Sequence, residues 1–321
     1  MDLIYMNADK EDIGILLDYE LDMAFGTDEN NFECKIVSAS HCCGAGFYLY
    51  IEGTEYGGVI DGIRSKSDTK EVIYSGRTWH GVLNSKVLQP DSGKAYLTVS
   101  GEANSVLGRL IERMGLADLF EASVEDSGIT ISNYAMNRYI GGYDGIKKML
   151  KTAKAKLRLK FVGGKVILSA EAVYDYSKDE EFDSDQVDFD IIKRYKTVNH
   201  LICLGAGELE NRTVLHLYAD AEGNISHTQT QFGVDEYAAV YNYANAESEE
   251  QLEADGIEKL LELWETDGLS IDFDSNAETY DVGDIVGAVD NITGITVSTD
   301  IVKKIVTIQN GRTTISYEVG E

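Results

Sequence analysis

Positive charge is what this sequence has least of against its opposite: 28 Lys and Arg face 56 Asp and Glu, a formal net charge of −28. That balance argues against direct nucleic-acid binding, which needs a basic footprint that releases counterions from phosphates. It disfavours an anionic membrane surface for the same reason. Cysteine is scarce too. Cys34, Cys42, Cys43 and Cys203 are too few and too irregularly spaced for a disulfide scaffold, so reduced thiols and synthesis in a cytoplasm are expected. No stretch approaches the ~20 apolar residues of a spanning helix. The start, Met1-Asp2-Leu3-Ile4-Tyr5, lacks the basic region and long apolar run of a secretory signal, and no membrane insertion is expected. Proline occurs once, at Pro90, and the sequence periodicity changes there.

What is present is the material of a globular chain. Apolar residues make up 43% of 321 residues, enough for two or three cores of ordinary size. Phe32 to Val37, Gly46 to Ile51, Gly58 to Ile63 and Glu71 to Tyr74 are short aromatic and β-branched runs between Gly, Asn, Asp and Ser clusters, the pattern of a small barrel or sandwich. The stretch Ile51 to Pro90 reads as two strands around a polar hairpin and then a helical turn. Its glycines suit the bulges and bends that close a small barrel. Beyond Pro90, Val106, Leu107, Leu110, Ile111 and Met114 follow helical spacing after Glu102, with Gly115 as the stop. A second helix is predicted from near Gly142. Lys156 to Ala170 alternates around Gly163-Gly164 and predicts a hairpin.

Residues 175–186 are acidic and polar and read as a linker or exposed loop. Strand signals resume at Asp188 to Ile192, Leu201 to Gly205 and Arg212 to Tyr218, with a turn at Asp220 to Asn224. An amphipathic helix over Glu249 to Trp264 interrupts them. Further strands are predicted at Ser270 to Phe273, Asp284 to Val289, Gly294 to Val297, Ile301 to Ile308 and Thr313 to Val319. The expected division is 1–98, a first β-barrel domain; 99–174, an α/β insertion; and 175–321, a second β-barrel domain with a helical insertion at about 236–268. The fold class is α+β, mainly β.

Candidate chemistry is thin. His41-Cys42-Cys43 sets three metal-capable side chains in a row, but structural zinc sites use spaced pairs and no second pair exists. Trp79-His80 follows Arg77, and His200, His216 and His227 lie in the second β region. No nucleophile elbow accompanies them, so packing and surface exposure account for each. Gly205-Ala-Gly207-Glu208 lacks the third glycine of a dinucleotide loop, and Gly163-Gly164-Lys165 lacks the first glycine and the hydroxyl of a phosphate loop. Asp220 to Asn224 and Asp272 to Glu278 fail the glycine spacing of an EF-hand. Paired carboxylates are uninformative among 56 acids. No catalytic residue, metal site or cofactor is assigned.

Three segments together, Phe25 to Phe32 (FGTDENNF), Glu52 to Ile60 (EGTEYGGVI) and Ser75 to Leu83 (SGRTWHGVL), resemble the baseplate hub or tail-associated proteins of long-tailed phages, prophages and phage-tail-like bacteriocins. Asn199 to Glu208, Arg212 to Gly223 and Tyr280 to Gly287 fit the same family, so the resemblance covers essentially the whole chain. It implies a homotrimeric ring with two similar β-barrels per subunit, a pseudo-sixfold surface docking on a tail tube or distal tail protein, and a spike or fibre on the other side. It also implies a non-enzymatic structural protein made in the bacterial host cytoplasm and assembled into a virion tail. Some of the acidic charge would then line a channel through which DNA passes without specific binding. The resemblance also implies that family members with a long C-terminal extension can carry a cell-wall hydrolase there. The sequence stops at Glu321, after the last strand signal, so that enzyme is expected to be absent or separately encoded. A tail-associated cell-wall hydrolase and a receptor- or carbohydrate-binding module, the latter drawing on 19 tyrosines, are the alternatives.

Overall fold

Alternation in the sequence becomes sheet in a computed structural model that describes residues 2–178, 181–183, 189–192, 197–221, 223–244, 246, 248–264, 268–271, 273–275 and 280–320. In chain order the elements begin with β1 (Leu3–Met6), β2 (Asp12–Leu16), β3 (Tyr19–Gly26), β4 (Asn31–Val37), β5 (Tyr48–Tyr50), β6 (Gly57–Lys66), β7 (Glu71–Thr78), α1 (Trp79–Asn84) and β8 (Val87–Leu88). Then come β9 (Leu97–Glu102), α2 (Ala103–Arg113), β10 (Phe120–Ala122), β11 (Thr130–Met136), β12 (Ile140–Gly141), α3 (Gly142–Thr152), β13 (Ala155–Val162), β14 (Lys165–Ala172) and β15 (Glu181–Asp183). The remainder are β16 (Phe189–Ile192), β17 (His200–Leu204), β18 (Val214–Ala219), β19 (Ile225–Ser226), β20 (Ala238–Asn242), α4 (Glu249–Trp264), β21 (Gly268–Ile271), β22 (Phe273–Ser275), β23 (Ile285–Val289), β24 (Thr296–Gln309) and β25 (Arg312–Val319). Contacts divide the chain into two compact units, Met1–Phe189 with Ser270–Glu321, and Asp190–Leu269.

The first unit is built on one open sheet in the order β15-β23-β24-β3-β4-β7-β6-β5-β1-β2, with β25 branching from β24 and β22 beyond it. The fold is α+β and mainly β, but among the described residues no sheet closes into a barrel. The reason lies in β24. The sequence predicts two strands, Gly294 to Val297 and Ile301 to Ile308, whereas the chain forms one of 14 residues. Its first half pairs with β23, and past an irregularity at Ile301 to Lys303 its second half pairs with β25 and β3. One long strand thus joins both ends of the chain into a common surface, where the expectation was that each end would close on itself. The expected loop at 175–186 also differs: Tyr176–Lys178 forms a helical turn and β15 pairs in parallel with β23. Residues 179, 180 and 184–186 of that stretch lie outside the described ones.

The stretch Ile51 to Pro90 forms as its alternation predicts, a β6–β7 hairpin running directly into α1. Thr78 ends the strand and caps the helix, its hydroxyl accepting from the Gly81 N–H. Trp79 is fully buried, stacked on Phe161 at 5.5 Å and edge-on to Phe120 at 6.4 Å. Both rings belong to the α/β segment, so this indole joins the core of the hairpin to that of the helices. That shared core takes Leu107, Leu110, Ile146 and Leu150 from α2 and α3, Leu159 and Phe161 from β13, and Met6 and Tyr50 from the main sheet.

The second unit has two layers. Strands β19-β18-β17-β20 form a sheet in which β17 and β20 run parallel. One side of it, Leu201, Cys203, Leu217 and Ala219, packs on Leu252 and Leu260 of α4. Gly256 of α4 lies where a Cβ would come 2.6 Å from the Cys203 sulfur, which explains a glycine inside a helix at a cost of about 1 kcal/mol in propensity.

Candidate functional site: a buried ionic cluster

Charged side chains avoid interiors unless paired. The first unit nonetheless buries several together. Lys304, on β24, shares the inward parity of Val306 and Ile308 and is 2% exposed. Its Nζ lies 2.9 Å from Glu55 Oε1, 249 residues away in sequence, and 3.8 Å from Asp281 Oδ1. The rings of Tyr56 and Tyr317 stand 5.5 and 5.9 Å from the same ammonium, within cation–π range. Lys156, at the start of β13, is buried, 2.7 Å from Asp284 Oδ2 and 2.9 Å from Asp281 Oδ2. Arg158 donates to Asp281 Oδ2 at 2.7 Å. Asp284 also accepts the backbone N–H groups of Tyr174 and Asp281. Each acid therefore ties together elements from different parts of the sequence.

The electrostatics follow from burial. Desolvation pushes the Glu55 carboxyl up and nearby Asp281 adds to it, while Lys304 opposes both. Burial works against the charge on Lys304, yet Glu55, Tyr56 and Tyr317 hold the ammonium above its ordinary range. For Asp281, burial raises, but Lys156, Lys304 and Arg158 prevail and hold it below the usual carboxylate range. Lys304 and Asp281 are thus held toward their charged forms, and Glu55 is the member that burial pushes toward neutrality.

His80 borders this cluster from α1. Its Nε2 is 3.8 Å from Glu55 Oε2, Phe25 stacks on it at 4.3 Å, and Tyr143 meets it edge-on at 5.0 Å. Burial, with Lys147 and Lys304 nearby, pushes its pKa down to about 3, so the ring is neutral. Its Nδ1 and Trp79 Nε1 are buried without hydrogen-bond partners among the described residues. Lys304, Lys156, Asp284 and His80 are enclosed and lock elements together, while Arg158 carries the edge of the cluster to the surface.

The residues singled out in the sequence fall elsewhere. Arg77, three residues before His80, points to the surface and pairs through Nε and Nη2 with both oxygens of Asp61, 2.7 and 2.8 Å. His41, Cys42 and Cys43 converge on the Tyr74 hydroxyl, which accepts from the Cys42 and Cys43 amides. All four cysteines are free thiols. Among the described residues no three His, Cys, Asp or Glu side chains gather as a metal site would require, and no helix is long and apolar enough to cross a membrane. Gly207, in the dinucleotide-like fragment, sits at φ +97 in a bend where a Cβ would meet Asn211 O at 2.3 Å. Asp220 closes its turn by accepting from the Asn224 N–H. The Asp272 to Glu278 reading rests on Asp272 and residues 276–278, outside the described residues. His200 and His216 are brought together, 2.8 Å between Nε2 and Nδ1, and His227 contacts the His216 carbonyl. Sequence reading missed the buried Lys304, Lys156, Glu55, Asp281 and Asp284. A signal for Lys304 was present, since it keeps step with the inward residues of its own strand.

No family model matches the sequence, and no curated protein does. Similarity appears at the level of fold. A 43 kDa tail protein of prophage MuSo2 from Shewanella oneidensis superimposes with a TM-score of 0.58 at 9% identity, covering 100% of this chain and 98% of that one. Prophage tail protein gp18 from Listeria monocytogenes gives 0.55 at 12% identity, over 99% and 94%. A tail protein from Neisseria meningitidis gives 0.54 at 13% identity, over 100% and 96%. At these identities the chain shares their fold, from one end to the other.

Proposed function

We propose that this chain is a structural component of a phage or phage-like tail, a trimeric baseplate hub or tail-tip ring that joins the tail tube to the spike or fibre. The observation that carries the reading is the whole-length fold likeness to tail proteins of three bacterial species. The sequence resemblance at Phe25 to Phe32, Glu52 to Ile60 and Ser75 to Leu83 points the same way. The mechanism is geometric: matching the symmetry of neighbouring rings, holding a channel open and transmitting contact. Part of the −28 charge faces that channel and repels DNA phosphates, with no nucleic acid bound specifically. Residues 1–98 and 175–321 supply the two related β domains, and 99–174 the insertion between them.

Light scattering on the purified protein, followed by electron microscopy of negatively stained particles with the neighbouring tube and spike proteins added, tests this. A threefold annulus is expected. A chain that stays monomeric even with both neighbours present overturns the hub. Release of soluble fragments from purified cell walls would replace the structural reading with a hydrolytic one.

A further inference from the structure

Cations are unevenly placed in this acidic chain. Residues 142–165 hold 8 of its 28 Lys and Arg and, in Asp144, only one of its 56 acids. Part of this basic run is engaged internally: Lys156 in the ionic cluster, Arg158 on Asp281, and Lys147 on Asp144 and the Gly26 carbonyl. The rest opens outward. Spacing of three and four sets Lys147, Lys148 and Lys151 on the side of α3 turned away from the buried Ile146, Met149 and Leu150, and Lys154 follows just past the helix end. Lys148, Lys151 and Lys154 are exposed. Lys151 reaches Asp300 at 2.9 Å, yet its side chain stays 73% exposed.

The same unit carries a surface of the opposite sign. Strand register places Asp22 of β3 directly across from Glu33 of β4, and both are exposed. Like charges facing one another across a ladder are destabilising. The neighbours in that row, Thr307 on β24 and Ser75 on β7, bring no charge to relieve them. The lysines of this face are already shared: Lys35 serves Glu20 and Glu71, and Lys303 serves Glu29 and Glu318. Among the described residues no cation pairs with Asp22 or Glu33. The two surfaces lie on opposite sides of the sheet. Phe25, of opposite parity to Asp22, stacks on His80, which meets Tyr143 of α3, so α3 lies on the side from which Asp22 and Glu33 point away. Within one molecule the two cannot meet. In two copies set head to tail, lysines face carboxylates.

We propose that the lysine face of α3 docks on the Asp22 and Glu33 face of a second copy of this chain, a head-to-tail contact repeated from copy to copy. The inference rests on the ring reading for contact between copies and adds the residues that make it. Sedimentation velocity on the full-length protein reads it. Lys148→Glu with Lys154→Glu, and separately Asp22→Lys with Glu33→Lys, should each weaken self-association about tenfold, because like charges then meet at the contact. The first pair makes the chain more acidic and the second less, so repulsion between whole molecules would move them in opposite directions. Loss in both marks a specific contact. All four substitutions in one chain return the net charge to −28 and should restore association. Tighter association of Asp22→Lys with Glu33→Lys, or a folded fourfold variant that stays dissociated, overturns the proposal. Should the variants not fold, salt decides with wild type. Sodium chloride must loosen ion-paired docking, whereas screening a −28 chain held by other contacts strengthens its association and overturns the inference. A chain monomeric alone that forms a ring once tube and spike proteins are added overturns this inference and leaves the ring reading standing, as does a ring indifferent to all four substitutions. A chain monomeric even then overturns both. Saturable binding of a short fluorescein-labelled DNA duplex, lost in Lys148→Glu with Lys154→Glu, would assign the lysines to phosphate and overturn docking of a copy.

Discussion

Lys304 and Glu55 hold each other's charge in a setting that would otherwise expel both, and neither can be removed alone without consequence. Lys304→Met should leave Glu55 buried without its closest cation, beside Asp281, and cost about 3–5 kcal/mol. The check is a shift in the urea midpoint at an unchanged slope. Adding Glu55→Leu to that variant should recover a large part of the loss, because the orphaned acid is then gone. His80 gives a different signature. Its pKa falls from 6.5 to about 3 on folding through burial, assisted by Lys147 and Lys304. As the pH drops below the ordinary value, the unfolded chain takes the proton and the folded one does not. Stability from this residue is therefore full above about 6.5 and lost progressively toward 3. His80→Phe, which keeps a ring against Phe25, should flatten that part of the stability–pH curve in denaturation series.

At the level of elements, local chemistry fixes where helices and hairpins begin. Glu102 caps α2 by accepting the N–H groups of Asn104 and Ser105, and also takes the Ser127 hydroxyl and N–H. Burial alone would raise its pKa, but these donors together lower it to about 2. Its contribution is thus present at neutral pH and lost as the pH falls from 4.5 toward 2. Glu102→Ala should cost about 1 kcal/mol at neutral pH, with a smaller difference from wild type in acid, read from thermal midpoints. Gly76 shows how tightly the β6–β7 hairpin is built. A Cβ there would fall 1.8 Å from the Val59 carbonyl oxygen, so Gly76→Ala should unfold or displace the hairpin. Loss of Trp79 burial, seen as a red-shifted tryptophan emission, would report it. These elements were legible in advance: the spacing of Val106, Leu107, Leu110 and Ile111 and the turn glycines Gly163 and Gly164 read correctly, because helix faces and hairpins are local. The burial of Lys156 is not legible in that alternation, which separates the two faces of a strand and does not show where Asp281 and Asp284 will lie.

Across the whole molecule, what sequence could not reveal is pairing between distant segments. The open sheet depends on β24 meeting β3, and the ionic cluster on Glu55, Asp281 and Lys304 meeting, and both are long-range facts that composition and periodicity do not encode. The meeting of His200 and His216 was equally hidden, since they come together only through strand register. The pairing of β24 with β3 has a consequence for how the protein is made. During synthesis β3 emerges early and one of its two neighbours very late, so at about 5–20 residues per second that strand edge waits on the order of tens of seconds for its partner. Nascent chains are vulnerable to mispairing throughout that interval. A chain interrupted before β24 would lack the strand that unites the sheet and the lysine that neutralises Glu55, so truncated products should be recognisable to proteases and kept out of any assembly.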